Sequence, residues 1–397
     1  MKKAYLISCS DHYSDRFEAL AEGLRELGLE SVYITSDFDH RHKIRYHSPV
    51  PGCVQLSVPA YSRNLSVSRL ISHVCFAQKA FRYLDSLSVE PALVVTLLPP
   101  NSLAMAGAWY KKRRPGVTLV YDLFDMWPES FPYAGKNPLL KAPFFIWRKL
   151  REAYLPAADM LTSECAYFLN KIPEGITANV IPISRPEAFL PSPGFTVNPL
   201  TLCYLGSINH VADIEGISAF IKVLASRVSV TMRIIGSGEQ CERFCSLAEN
   251  AGANVIYYGA LYDQQEKAKA LEGCAFGLNF MRQDACIGLT MKSVDYLSHS
   301  LPLISNVRGD TQSLMAHGGG IHCDSRHPEK TVDALLSLTP EDYEAMRRSA
   351  FSLYQRYFSP EAVRHIYLSL YRELLAAHPK DERSTSDIIV HDGNVLK

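Results

Sequence analysis

The 397-residue sequence has no net charge: 41 Lys and Arg are matched by 41 Asp and Glu. That excludes the strongly basic footprint of a dedicated nucleic-acid binder. The ten cysteines are scattered and include no C-x-x-C pair. Cys241 and Cys245 are one helical turn apart and have no His at zinc-finger spacing. Reduced, mostly buried thiols in a cytosolic protein are expected instead. Two phosphate-binding signatures, G-x-x-x-x-G-K-[ST] and G-x-G-x-x-G, are also missing. The opening MKKAYLISCSDHYSD meets acidic residues too early for a signal peptide. The uncharged run 91–110 is long enough to span a bilayer, but Pro99-Pro100-Asn101 at its centre breaks a helix there. A buried strand, a turn and a helix from Ser102 fit that run better.

What is present is the composition of a folded protein, 47% hydrophobic and 21% charged, with length for two domains. Short apolar runs alternate with helical periodicity: Tyr5–Ser8, Ser31–Thr35, Leu93–Leu98, Thr118–Tyr121 and Met160–Ser163 read as strands. The rhythm breaks at 185–200, where four prolines and a glycine interrupt it. It resumes with Thr201–Leu205, Thr231–Ile235, Asn254–Tyr257, Phe276–Phe280 and Leu303–Ser305. The expected fold is therefore α/β, two doubly wound Rossmann-like domains facing a cleft. The expected bounds are 1–185, a linker at 186–200, a second domain at 201–358, a returning helix at 359–377 and a disordered tail at 378–397. Ser359-Pro360 supplies that helix with an N-cap and a first-turn proline.

Parallel sheets bind ligands at the carboxyl ends of their strands. In the second half, one strand runs into Gly206-Ser207-Ile208-Asn209 and another into Gly236-Ser237-Gly238. Small residues there let backbone amides approach an anion, although tight turns explain them as well. Ile287–Leu297 opens a helix with Lys292 in its first turn and Asp295 three residues on. A cation at a helix N-terminus opposes the macrodipole unless an anion joins it, so a phosphate beside Lys292 and a ribose hydroxyl on Asp295 are expected. In the first half, Asp122, Asp125, Trp127 and Glu129 follow a strand, a composition that suits a sugar or caps the next helix. The loop bearing His12, Asp15 and Arg16 is expected to face the same cleft. Lys136–Arg151 interleaves basic residues with Leu, Phe, Ile and Trp, the pattern of an interfacial membrane helix or of a packed one with a wet face.

Assembled, these residues resemble the family 4 glycosyltransferases of the GT-B fold, in the bacterial surface-polysaccharide branch that carries Asp-x-Trp-Pro-Glu-Ser. Here that element is Asp125-Met126-Trp127-Pro128-Glu129-Ser130; Ile234–Glu239, Asn254–Gly259 and Thr290–Ile304 match the family's second-domain motifs. The resemblance implies a sugar transferase using a nucleotide-diphosphate sugar, UDP-linked, with a glycan or lipid-linked acceptor and no metal or other cofactor. Retention of configuration is implied too. It assigns catalysis to Asp125 and Lys292. Donor binding falls to Gly206, Ser207, Asn209, Gly236, Gly238, Gly259, Leu261, Thr290 and Asp295. Acceptor contacts fall to His12, Asp15, Arg16, Asp122, Trp127 and Glu129. The location implied is cytoplasmic, peripheral at the inner face of the cell membrane through Lys136–Arg151. Two features depart from the pattern: Ile287 and Asp295 stand where the family has two glutamates, and Ser207–Gly216 has no basic residue besides His210. Two other readings share the fold, a nucleotide-sugar 2-epimerase and a catalytically degenerate partner subunit.

Overall fold

In a computed structural model of the chain, residues 2–10, 14–131 and 138–377 are described. They divide into two compact units, one reaching Ser184 and resuming at Val363, the other Arg185–Ala362. The first unit opens with β1 (Lys2–Ile7), α1 (Ser14–Glu26), β2 (Leu29–Ser36), a hairpin of β3 (Phe38–Asp39) and β4 (Ile44–Arg45), and β5 (Val54–Leu56). It continues with α2 (Val67–Asp85), β6 (Leu93–Leu98), α3 (Ser102–Arg113) and β7 (Thr118–Leu123). Then follow α4 (Pro138–Tyr154), β8 (Met160–Ser163), α5 (Ala166–Leu169) and β9 (Asn179–Val180). Among the described residues, seven strands form a parallel sheet in the order β5-β2-β1-β6-β7-β8-β9.

The second unit repeats the plan. It contains β10 (Leu200–Leu205), α6 (Ile214–Ala225), β11 (Val230–Ile235), α7 (Cys241–Asn250), β12 (Asn254–Gly259) and α8 (Gln264–Leu271). After these come β13 (Phe276–Asn279), α9 (Met291–Ser298), β14 (Leu303–Ser305), α10 (Asp310–Leu314) and β15 (Gly320–His322). The unit ends with α11 (Glu329–Leu336) and α12 (Pro340–Tyr357). Among the described residues its six strands are parallel, ordered β12-β11-β10-β13-β14-β15. Each sheet thus grows outward in both directions from its first strand. The reversal falls between β1 and β6 in one and between β10 and β13 in the other, the places where doubly wound folds bind ligands.

The central strands are continuous apolar runs because both faces are covered. LVVTLL of β6 is buried at every position, and Tyr204, Phe220, Ile234, Phe276 and Ile304 meet in the core of the second unit. The proline-rich segment 186–200, expected to be a linker, is packed rather than free. Phe195 is buried and stacks on Tyr343 with ring centroids 4.3 Å apart, and the Ala188 amide donates to the Ser298 carbonyl. Prolines remove amide donors there, but Phe189 packs edge-on against Phe351 and Arg347 donates to the Leu190 carbonyl, which add to the Phe195 anchor. The last helix, α13 (Pro360–Ala377), buries Val363, Tyr367 and Tyr371 in the first unit, where Arg364 also pairs with Glu26 at 2.6 Å. The segment 378–397 lies outside the described residues.

Candidate active site

Helix α9 fixes the centre of the second unit's site. Thr290 caps it, its Oγ1 accepting from the Ser293 amide, and Asn279 at the end of β13 donates to both Thr290 Oγ1 and Ser293 Oγ at 2.9 and 2.8 Å. One turn on, the Tyr296 hydroxyl accepts from the Leu205 amide at 2.6 Å. Its ring lies so close to Gly277 that a Cβ there would sit 2.5 Å from it. The helix is therefore clamped to β10 and β13 at the reversal between them. Lys292, only 7% exposed, lies in its first turn.

The Lys292 side chain runs beneath the loop after β10. Its Cε would be 3.6 Å from a Cβ on Gly206, and its Nζ lies 3.9 Å from the centroid of the Tyr204 ring. Nζ has no hydrogen-bond partner, and burial lowers its basicity to about 7. A buried ammonium with only a ring face beside it is under-compensated. It lies in the first turn of a helix, so an anion arriving there would meet a charge and a dipole of the right sign.

The glycine loops do something other than what was expected of them. The Gly206 amide donates to the Ile235 carbonyl at 2.8 Å, and the Gly236 amide to the Gly259 carbonyl at 2.7 Å. A Cβ on Gly236 would stand 1.9 Å from the Gly206 oxygen, and one on Gly238 2.3 Å from the Ile208 oxygen. These glycines let two backbone loops touch; the Gly206 and Gly236 amides are already spent on the protein itself. Asn209 Oδ1 accepts from the Val211 amide, shaping its own turn, and Ser207 is exposed with its carbonyl taken by Tyr204 Oη. Leu261 is half-buried against the small core beneath α9. Asp295 is paired: Arg185 Nε donates to its Oδ1 at 3.1 Å.

In the first unit most of the expected acceptor contacts turn out to be structural ties. Arg16 grips Asp122 at both oxygens, at 2.5 and 2.8 Å, and also donates to the Ile181 carbonyl at 2.9 Å. Thr162 Oγ1 donates to the same carboxylate at 2.8 Å, and Arg16 and Asp122 are both buried. Glu129 takes both terminal nitrogens of Arg151, at 2.9 and 2.8 Å. Asp125 accepts from the Met126 amide and from Trp127 Nε1, each at 2.7 Å; burial raises its pKa while these hydrogen bonds oppose the rise. It orients Trp127 and is no free base in this arrangement. Trp127 remains partly exposed, with His73 stacked on it and the Arg69 guanidinium 4.3 Å from its ring. Asp15 is exposed in the first turn of α1, and His12 lies outside the described residues.

Residues 199–340 match the family model described as glycosyl transferases group 1. That match falls within the second unit. No curated protein matches the chain. Solved structures match nearly all of it at low identity. The N-terminal domain of trehalose-6-phosphate phosphatase from Candida albicans is 11% identical with a TM-score of 0.66, over 95% of this chain and 97% of that one. The lipopolysaccharide outer core galactosyltransferase WaaB is 14% identical at 0.61, over 95% and 99%. Anabaena HepE, solved in complex with UDP and glucose, is 12% identical at 0.61, over 95% and 100%. The fold is that of the GT-B glycosyltransferases, and the chain is a transferase.

Around the transferase's Lys292, sequence reasoning missed Tyr204, Tyr296, Asn279 and Arg185. Tyr204 and Tyr296 read as core aromatics, and nothing local in sequence ties Arg185 to Asp295. Asn279 alone carried a signal, a polar residue closing an otherwise apolar strand at a carboxyl end. Among the described residues, no three His, Cys, Asp or Glu side chains are grouped as they would be around a metal ion.

Proposed function

We propose that the protein transfers a sugar from a nucleoside diphosphate, UDP in first choice, to a glycan or lipid-linked acceptor held by the first unit. The observation that carries this reading is Lys292, a buried ammonium without a hydrogen-bond partner in the first turn of α9. A diphosphate supplies the missing counter-charge, and the demand on that charge grows as the bond from the anomeric carbon to the β-phosphate oxygen breaks. Stabilisation that strengthens toward the transition state is what accelerates a reaction. In this reading Lys292 and the first amides of α9 hold the leaving diphosphate without a metal, and the anomeric configuration is retained. The acceptor oxygen bonds the anomeric carbon and its proton leaves with the departing diphosphate. Asp125 acts indirectly by orienting Trp127, whose partly exposed ring suits a pyranose. The complex of Anabaena HepE with UDP and glucose supports the choice of nucleotide.

The acceptor reading extends to a membrane. Among the described residues no helix is long and apolar enough to cross one. Surface docking draws support from Phe145 and Ile146, which α4 exposes beside Lys141, Arg148 and Lys149. Surface-polysaccharide synthesis is the setting that fits such an acceptor.

A second reading, a degenerate subunit that binds a nucleotide without turning it over, is favoured by Ile287 and by the pairing of Asp295 with Arg185. Incubation with a panel of nucleotide sugars, with and without membrane lipid, separates the two. Lipid-stimulated release of nucleoside diphosphate supports transfer. Tight nucleotide binding without release supports the subunit, and neither binding nor release overturns both.

A further inference from the structure

The first unit concentrates positive charge at the carboxyl ends of its own strands. Lys43 lies in the β3–β4 hairpin, Arg69 in the first turn of α2, and His73 one turn further along. All three gather on two aromatic rings. The Lys43 ammonium is 4.8 Å from the Tyr61 centroid, and the Arg69 guanidinium is 5.8 Å from Tyr61 and 4.3 Å from Trp127. The His73 ring stacks on Trp127 at 5.8 Å and stands edge-on to Tyr61 at 6.2 Å.

This gathering works against itself. Burial and then Arg69 lower the basicity of Lys43. Burial, and after it Arg69, His40 and Lys43, holds His73 down at about 3. Arg69 occupies a first helical turn that has no acidic residue, so its charge opposes the macrodipole. The Lys43 backbone is left-handed at φ 62°, a conformation that costs a residue with a side chain. His73 Nδ1 is buried without a partner. Two carboxylates face the cluster and offset it only in part: Asp39 raises the basicity of Lys43 and Asp125 lies within Coulombic reach of Arg69, yet burial and the neighbouring cations still hold Lys43 and His73 down. Asp39 bonds His42 and the Arg41 amide, and Asp125 bonds Met126 and Trp127. Like charges and a strained backbone persist together where something else offsets them.

We infer that Lys43, Arg69 and His73, beside Trp127 and Tyr61, form a subsite for an oxyanion carried by the acceptor, a phosphate or a carboxylate. The inference rests on the reading above that the first unit holds the acceptor. The Lys43 ammonium donates to the His40 carbonyl and Asn64 Oδ1, and Arg69 Nη1 to the Asn64 carbonyl; their further N–H groups supply charge-assisted hydrogen bonds to the oxyanion, and His73 Nδ1 gains the partner it lacks. Trp127 lies within reach of both the anion and an attached sugar ring. The acceptor is thus an acidic molecule, either a sugar phosphate or diphosphate, lipid-linked or free, or a chain bearing a uronic acid.

Calorimetry on the full chain tests this with pyrophosphate and glucuronate as separate probes, at about physiological ionic strength. Lys292→Ala removes the nucleotide site from the measurement. In that background at least one probe should still bind, and adding Lys43→Met or Arg69→Gln should weaken it by at least tenfold. The probe that binds distinguishes phosphate from carboxylate. Lys43 is half-exposed, so its variant keeps the test alive if Arg69→Gln fails to fold. UDP affinity of Lys43→Met should equal that of wild type. Loss of all probe binding on Lys292→Ala alone, or unchanged binding after Lys43→Met, overturns the subsite. Failure of wild type to bind UDP overturns the nucleotide reading instead and leaves the probe result standing.

Discussion

Lys292 Nζ lies 3.9 Å from the centroid of the Tyr204 ring, and that ring is itself held by a hydrogen bond from Tyr204 Oη to the Ser207 carbonyl at 2.8 Å. A ring face returns about 0.5–2 kcal/mol to a cation. Burying an ammonium costs several kcal/mol even after the surroundings relax. The pair therefore leaves a deficit that a phosphate can remove, and the deficit lies in the domain that matches the group 1 glycosyltransferases.

Lys292→Ala should lower turnover by two or more orders of magnitude, since one preorganised charge stabiliser accounts for roughly 3–4 kcal/mol of a barrier. The apo fold should be kept or slightly stabilised, because the variant deletes an unpaired buried charge. Steady-state kinetics beside thermal melts check both halves. Near-normal turnover would refute the diphosphate assignment.

The same lysine sets a pH dependence. Its folded pKa of about 7 lies below its ordinary value, so the unfolded chain binds more protons across the window between them. Stability of the apo protein should rise with pH from about 7 toward 10, by up to roughly 1.4 kcal/mol per unit from this group. Affinity for a nucleoside diphosphate should fall over the start of the same window as the free lysine loses its proton. Urea titrations at several pH values, with Lys292→Met alongside, isolate the contribution; identical slopes for the two proteins would contradict it.

Arg16 and Asp122 give a prediction of a different kind. Asp122→Asn leaves a buried guanidinium without its counter-charge, a change that typically costs about 3–5 kcal/mol. The urea midpoint should drop accordingly, and the double variant Arg16→Met/Asp122→Leu should recover part of the loss. A direct role in acceptor binding would instead weaken transfer at unchanged stability.

How far the sequence carried these assignments depends on where the information lies. Leu93–Leu98 is legible to the residue because a strand buried on both faces is one apolar run. The β3–β4 hairpin is two pairs of residues, one of them exposed, and leaves no period to read. Lys292 was legible because a misplaced cation is a local signal. The Arg16–Asp122 pair joins positions 106 residues apart and has no local signature. Gly206 and Gly236 show a subtler limit. Glycine marks a close backbone approach, and the sequence does not say whether the visitor is a phosphate or another loop.

Asp125→Asn should separate the two units' tasks. An amide cannot accept from both the Met126 amide and Trp127 Nε1 as the carboxylate does, so Trp127 loses its fixed orientation. Transfer should fall by at least tenfold while nucleotide affinity, measured by calorimetry, stays within about twofold of wild type. A large loss of nucleotide affinity would break the assignment of donor and acceptor to different units.

The last expectation concerns the membrane, and the structure narrows it. Of the basic residues in 136–151, Arg151 is fully buried on Glu129, and Lys136 lies outside the described residues. Phe144 is buried and Trp147 half-buried in an aromatic cluster with Trp127 and Phe131. What α4 offers to a surface is Lys141, Arg148 and Lys149 with Phe145 and Ile146. α3 packs against both α4 and α2, and α2 exposes Val67, Leu70, Ile71 and Val74 at helical spacing. Glu152 pairs with both Arg148 and Lys149, so three cations less one carboxylate leave a net charge of two, worth about 2 kcal/mol near an anionic surface and enough only for reversible attachment aided by those apolar side chains. Wild type should float with anionic vesicles at low salt and be released as salt rises. Lys141→Glu/Lys149→Glu should abolish flotation through charge, and Ile71→Ser/Ile146→Ser should weaken it at every salt concentration. If wild type stays at the bottom of the gradient at low salt, both helices are bare surface, and the acceptor must reach the enzyme from solution.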